Sequence, residues 1–306
     1  MQEGRRPIVV VGSINMDLVS RVPHIPRAGE TVIGHDFNMY PGGKGANQAV
    51  GVARLGYPVM MIGMVGTDAF GRALREHMQS VGVDMSHVGE VDSASGLASI
   101  LVDDAGENCI VVTNGANFQL TPDILRSKRE VLRNAGAVLA QLEIPMETVE
   151  CLAELCREFG VPLILDPAPA HALADGLLRG TRWLTPNETE AQFYASGAGS
   201  VDDVLSKLFG MGAQGIVLKQ GAQGAILVGE DRVTHRVGSP VVRAVDTTAA
   251  GDAFNAAFAV ALRLGYDPAE SARYAATAAS ISVTRAGAQP SMATKEEVSA
   301  AFQTKQ

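Results

Sequence analysis

The sequence predicts an α/β fold, a doubly wound, mostly parallel sheet flanked by helices with a small β-stranded lid, and three observations carry that expectation. Short aliphatic runs recur along the chain. Helix-like stretches separate them. The runs are continuously apolar rather than alternating, the pattern of strands buried on both faces of a covered parallel sheet.

Taken in order, "IVVVG" from Ile8 opens the sheet, and "GSINMD" follows it. Asn15 and Asp17 therefore lie beyond the carboxyl end of a strand, where open α/β sheets bind ligands. Residues 13–41 break the rhythm with Pro23, Pro26 and Pro41 around the short run "ETVIG", and read as antiparallel strands outside the main sheet. "YPGGKGANQAV" from Tyr40 opens a helix whose stripe is Ala46, Ala49, Val50 and Ala53, closed by Gly56. Gly42, Gly43 and Gly45 permit close backbone approach there, and Lys44 and Asn47 place polar heads beside a polyol or phosphate. "VMMIGMVG" from Val59 is the next central strand.

"LASILVDDAGENCIVV" from Leu97 reads as two strands joined by a polar turn at Asp104, Ala105 and Gly106. Ile100 to Val102 and Ile110 to Val112 are consecutive, so apolar side chains point to both faces. Such a hairpin either covers a ligand cleft and a second subunit or packs onto the body. "AVLAQLE" from Ala137, "PLILDP" from Pro162, "WLTPN" from Trp183 and "GIVLKQG" from Gly215 supply the remaining strands, with a helix marked by Thr148, Leu152, Leu155 and Phe159 and closed by Gly160. "PVVRAVD" from Pro240 is a further expected strand. No repeat or linker interrupts the pattern, so a single domain over residues 1–306 is expected, its lid strands drawn from about 13–41 and 97–113.

A chain of 306 residues, 46% hydrophobic and 19% charged, can bury a large core. Its net charge of −8 argues against nucleic acid and anionic membrane surfaces and favours a small-molecule ligand. Cys109, Cys151 and Cys156 are too few and too irregular for a disulfide framework or a zinc site, and read as buried reduced thiols of a cytoplasmic protein. The apolar run after the N-terminal basic pair is about four residues, short of a secretory segment, and no run reaches the ~18 residues of a membrane span. P-loop, zincin and α/β-hydrolase signatures do not occur. "GMGAQG" from Gly210 matches a dinucleotide fingerprint but follows a helix and precedes a strand, the reverse of the required context.

The stretch "DTTAAGD", Asp246 to Asp252, is the most informative. It turns through Ala249, Ala250 and Gly251 into a helix with the inward stripe Phe254, Phe258, Ala261 and Leu262. Helix N-terminal amides with small side chains form a cradle for an oxyanion or phosphate. Asp252 in the same turn either complements the helix dipole or acts on a ligand.

Together "GSINMD", "PGGKGANQAV", "QLEIP", "DPAPA", "TPNETEA", "AVDTTAAGDAFN" and "VTRAGAQPS" resemble, in order from about residue 8 to 300, the motifs of the ribokinase-like (PfkB) carbohydrate kinase family. The resemblance implies transfer of the ATP γ-phosphoryl group to the 5-hydroxyl of ribose. A related kinase acting on 2-deoxyribose, a nucleoside or another sugar would share the same parts. It implies Asp252 as catalytic base and Ala249, Ala250 and Gly251 as the anion hole. Asn15, Asp17, Gly43, Lys44, Gly45, Ala46, Asn47, Glu143 and Asp252 match sugar-contacting positions. Asn187 and Glu190 of "NETE" match a motif that organises Mg²⁺ and phosphate, with Glu190 acting on Mg²⁺ through water. Lys219, Gln220, Gly221, Ala222, Gln223 and Gly224 match the nucleotide loop, although Lys219 and Gln220 stand where a hydroxyl residue and leucine are common. Gly251 and Ala276 match further ATP contacts. Asp246, with Thr248, Ser282, Arg285, Gly287 and Ser291, matches a K⁺ site, the other reading of Asp246 being a turn cap. A homodimer through the lid strands is also implied.

Overall fold

A computed structural model of the chain describes residues 5–174 and 176–303. Residues 1–4, 175 and 304–306 of the expected domain lie outside the described residues. The strands are β1 (Ile8–Val11), β2 (Asn15–Arg21), β3 (Asp36–Gly42), β4 (Val59–Gly66), β5 (Asp84–Val91), β6 (Gly96–Val102), β7 (Asn108–Thr113), β8 (Ala137–Ala140), β9 (Leu163–Leu165), β10 (Trp183–Leu184), β11 (Ile216–Lys219), β12 (Ala225–Val228) and β13 (Thr234–Val237). Nine of them form one sheet in the order β13-β12-β11-β10-β9-β8-β1-β4-β5. Every pairing from β11 to β5 is parallel, and only β12 and β13 run antiparallel to their neighbours.

Parallel neighbours need crossovers, and helices supply them on both faces. On one face lie α1 (Lys44–Arg54), α2 (Ala69–Ser80), α8 (Ala250–Leu264), α9 (Pro268–Ser282) and α10 (Lys295–Gln303). On the other lie α3 (Pro122–Ser127), α4 (Arg129–Arg133), α5 (Met146–Phe159), α6 (Glu188–Tyr194) and α7 (Val201–Gly210). β1 shows why its sequence is apolar throughout: Ile8 and Val10 enter the first core, and Val9 and Val11 the second. α5 ends at Gly160 in the left-handed region, φ 65, as its position after the apolar stripe predicts.

The second sheet, ordered β3-β2-β6-β7, is built from the two segments that break the sequence rhythm. β2–β3 and β6–β7 are antiparallel as expected, whereas β2 and β6 pair in parallel from Asn15 opposite Gly96. "ETVIG" forms no strand; Ile33 is 87% exposed and β3 starts at Asp36. "PVVRAVD" is also irregular rather than a strand, because the amides of Val245 and Asp246 donate to Val283 O at the end of α9 instead of to a neighbouring strand. β7 is exposed along its whole length, so Cys109 on it is exposed rather than buried as expected, while Cys151 and Cys156 on α5 are buried.

Candidate active site

The helix start at Lys44 is set by backbone proximity. Gly43, at φ 87, could carry no Cβ without approaching Asn15 N to 2.7 Å, and a Cβ on Gly45 would meet Gly12 C at 2.7 Å. These glycines let the first turn of α1 sit on the β1–β2 connection, where Ala46 N donates to Ser13 O at 2.9 Å. Ser13 Oγ donates to Glu143 Oε2 at 2.5 Å, and Lys44 N to the same oxygen at 3.2 Å, so Glu143 anchors that helix start after β8. Asn15 is buried at the head of β2, its Oδ1 accepting from Asn117 Nδ2 at 2.7 Å. Asp17 follows on β2 with its carboxylate against Gly42 of β3.

Asp252 lies in the first turn of α8 and is 5% exposed. Both of its oxygens are held by amides from α1: Asn47 Nδ2 donates to Oδ2 at 3.0 Å and Gln48 Nε2 to Oδ1 at 3.0 Å. The same Gln48 nitrogen donates to Asp166 Oδ2 at 3.1 Å, while Gln48 Oε1 accepts from Gln141 Nε2 at 2.7 Å. Asp166, just past β9, pairs through Oδ1 with Lys219 Nζ at 3.0 Å. Five elements, α1, α8, β11 and the ends of β8 and β9, thus converge on one polar array.

Its electrostatics follow from burial. Burial pushes the Asp252 carboxyl up to about 6, aided by Asp166 and opposed by Lys44, Asn47 and Gln48. Burial, then Glu143 and Asp252, push Asp17 up to about 7. Desolvation acts to lower the Lys44 ammonium, but Asp252, Asp166, Glu143 and Glu190 outweigh it and hold Lys44 firmly protonated. Burial and then Asp166 raise Glu190.

Beside this array opens a cavity of about 320 Å³. Lys219, Gly221, Ala222, Gly224, Gly251 and Ala276 line it, together with Val241 and Val242 of the irregular segment before Asp246. Of the other expected nucleotide residues, Gln220 and Gln223 belong to the same loop, and Gln220 Nε2 donates to Glu188 Oε1 at 3.3 Å. Asn187 and Glu190 form a capping box on α6: Glu190 N donates to Asn187 Oδ1, and Asn187 N to Glu190 Oε2, each at 2.8 Å. The cradle turn is shaped by Ala249, which sits in the left-handed region at φ 58, and Ala250 N donates to Thr247 O at 3.2 Å. Asp246 accepts from Thr248 N at 2.9 Å, Thr248 Oγ1 at 2.6 Å and Gly287 N at 2.8 Å, so it ties the turn to the segment after α9. Burial opposes its charge, but these bonds prevail and lower its pKa. Arg285 N donates to Ser282 O, and Ser291 Oγ to Ala288 O, within that segment.

Sequence reasoning missed Ser13, Gln48, Asn117, Gln141 and Asp166. Asp166 had a usable signal, since it follows the carboxyl end of a strand as Asn15 does. Gln48 had none of its own: inside a helix it reads as a surface amide, and only the approach of α8 gives it two carboxylates.

The arrangement suits proton abstraction beside an anion: a carboxylate raised toward neutrality, fixed by two amides, with two lysines and a helix N-terminus nearby. The pattern of the pfkB family carbohydrate kinases matches residues 5–295. A ribokinase of Bacillus subtilis is 41% identical over 295 residues, covering 96% of this chain and 98% of that protein. The structure of an Arabidopsis thaliana ribokinase complexed with ribose and ATP superposes with a TM-score of 0.93 at 34% identity, covering 98% of this chain and 99% of that one. A crystal structure of ribokinase from Thermotoga maritima gives 0.91 at 37% identity, covering 98% and 99%.

Proposed function

The chain belongs to the pfkB family of carbohydrate kinases, and from that premise we propose that it transfers the γ-phosphoryl group of ATP to the 5-hydroxyl of D-ribose, giving ribose 5-phosphate and ADP. The observation that carries this reading is the place of Asp252. It joins the polar recess of Asn15, Asp17, Lys44, Asn47 and Glu143 to the cavity beside Gly251.

The sugar lies against the recess, whose carboxylates and amides accept from and donate to its hydroxyls. Asp252 takes the proton of the 5-hydroxyl as its oxygen bonds to the γ-phosphorus. The bond from that phosphorus to the β-phosphate oxygen breaks, and its electron pair leaves with ADP. Backbone amides of Ala249, Ala250 and Gly251 face the charge that develops on the phosphoryl oxygens. The apolar cavity at Val241, Val242 and Ala276 receives the base of the nucleotide.

Among the described residues no three His, Cys, Asp or Glu side chains converge as a metal site. Asn187 and Glu190 would hold a divalent ion through its hydration water, and Glu190, raised first by burial and then by Asp166, would be relieved by it. Bound Mg²⁺ supplies neutralisation of phosphate charge. Asp246 and the main-chain carbonyls of Thr248, Ser282, Arg285 and Gly287, with Ser291 nearby, would supply the low-charge oxygen donors that suit K⁺, and the ion would supply a fixed positive field behind the turn. The β2-β3-β6-β7 sheet serves as a lid over the sugar, and a second copy of the chain covers its exposed Phe37, Met39, Ile110 and Val111.

The test is ATP turnover across ribose, 2-deoxyribose, fructose and adenosine. Ribose is expected to give the highest kcat/KM; turnover of another acceptor with none of ribose would sink the reading.

A further inference from the structure

Lys219 ends β11 at the mouth of the cavity, where its Nζ lies 3.0 Å from Asp166 Oδ1; 12% of its side chain and 4% of that of Asp166 is exposed. Two further contacts tie this ion pair to the reacting centre. A Cβ built on Gly251 would meet Lys219 Nζ at 3.3 Å, so the ammonium rests directly against the first turn of α8, beside the anion cradle. The other oxygen of Asp166 accepts from Gln48 Nε2, the nitrogen that also donates to Asp252 Oδ1. Base, amide, carboxylate and ammonium form one connected array that runs from the sugar side to the nucleotide side. A buried pair standing alone returns little stability, because desolvation offsets its attraction. An ammonium carries three donors, and Asp166 Oδ1 takes one of them.

We propose that Lys219 is a catalytic residue whose ammonium donates to the oxygens of the γ-phosphoryl group in transfer, while Asp166 and Gln48 hold it in register with Asp252. The proposal rests on the kinase reading above. The new bond joins the sugar oxygen to phosphorus, the bond to the β-phosphate oxygen breaks, the hydroxyl proton goes to Asp252, and Lys219 stays protonated throughout.

The test compares Lys219→Met, Lys219→Arg, Asp166→Asn and the double variant Lys219→Met with Asp166→Asn, measuring kcat, the KM of ribose and the affinity for ADP. Removing one donor aimed at developing charge costs roughly 10²-fold or more in kcat. Lys219→Met is expected to lose about that factor while the KM of ribose stays within about threefold, and Lys219→Arg to recover about tenfold of the loss. The double variant is expected to run about tenfold below Asp166→Asn alone, less than the full loss because Lys219 and Asp166 act as a unit; it removes the unpaired carboxylate and gives the decisive rate should Lys219→Met fail to fold. A double variant as fast as Asp166→Asn, or a Lys219→Met variant with the parent's kcat, overturns the proposal and leaves the pair structural. A parent enzyme that does not phosphorylate ribose overturns the kinase reading instead.

Discussion

Gln48→Leu removes a fully buried amide of nearly equal volume and leaves α1 otherwise intact. In the parent its Nε2 satisfies one oxygen of Asp252 at 3.0 Å and one of Asp166 at 3.1 Å. A hydrogen bond to a charged group contributes about 1.5–3 kcal/mol, which at about 1.4 kcal/mol per pKa unit raises the Asp252 carboxyl by roughly one to two units. From its starting point at about 6, the base then titrates between about 7 and 8. The sign follows from the base role: activity needs the ionised carboxylate, so a raised pKa removes activity from the acid side. With the base at about 7.5, the ionised fraction at pH 7 falls from about 0.9 to about 0.25, and at pH 6 from about 0.5 to about 0.03. The assay is ribose-dependent ADP release followed from about pH 5 to 9, reading the acid limb of kcat/KM, which reports the free enzyme. The limb is expected to move up by one to two units, with most of the rate regained above about pH 9. An acid limb that stays at the parent's pH, whatever the loss of rate, would show that Gln48 does not set the charge of the base.

Asp252→Asn removes the proton acceptor without changing shape; kcat should fall by about 10²–10⁴-fold or more while ADP binding, measured by calorimetry, persists. Asp17→Asn acts on stability. With a folded pKa of about 7 against 3.8 unfolded, Asp17 binds more protons folded than unfolded between those values, so its contribution declines as pH rises through that window. Discounted for its partial exposure, the variant should be about 1–3 kcal/mol more stable than the parent at pH 8 and equal to it near pH 4; denaturant titrations showing the reverse order would reject this account of the recess. K⁺ should raise kcat over Na⁺ in matched titrations, and Asp246→Ala should abolish the difference, whereas equal parent rates in the two salts would remove the cation site. Val111→Lys places a charge on a strand whose Ile110, Val111 and Val112 are 51%, 60% and 45% exposed; light scattering should then give a monomer where the parent gives a dimer, and a monomeric parent would reject the lid interface.

Six strands of the main sheet, β1, β4, β8, β9, β10 and β11, were legible because their information is local, whereas β5, β12 and β13 were not read from the sequence. Continuous apolar runs such as Ile8–Val11 and Val59–Gly66 must be buried on both faces, and Gly56 and Gly160 stop their helices by backbone freedom alone. The turn into α8 before Asp252 was legible for the same reason, since small residues at a helix start are a local pattern. "PVVRAVD" misled because its apolarity serves the cavity wall rather than a strand, and Leu97 to Val112 gave no sign that β6 would pair in parallel with β2. The charge state of the site was also beyond the sequence. Gln48, Gln141, Asp166 and Lys219 lie up to 171 positions apart in numbering, and a carboxylate or amide carries no mark of the partner it will meet. The sequence alone determined the continuously apolar strands and the helices that Gly56 and Gly160 close, because backbone preference and hydrophobic period are properties of neighbours along the chain. The tertiary structure decided that Asp252 sits at about 6 and that Lys219 is bound to Asp166 beside it, because both depend on which groups packing excludes from water together.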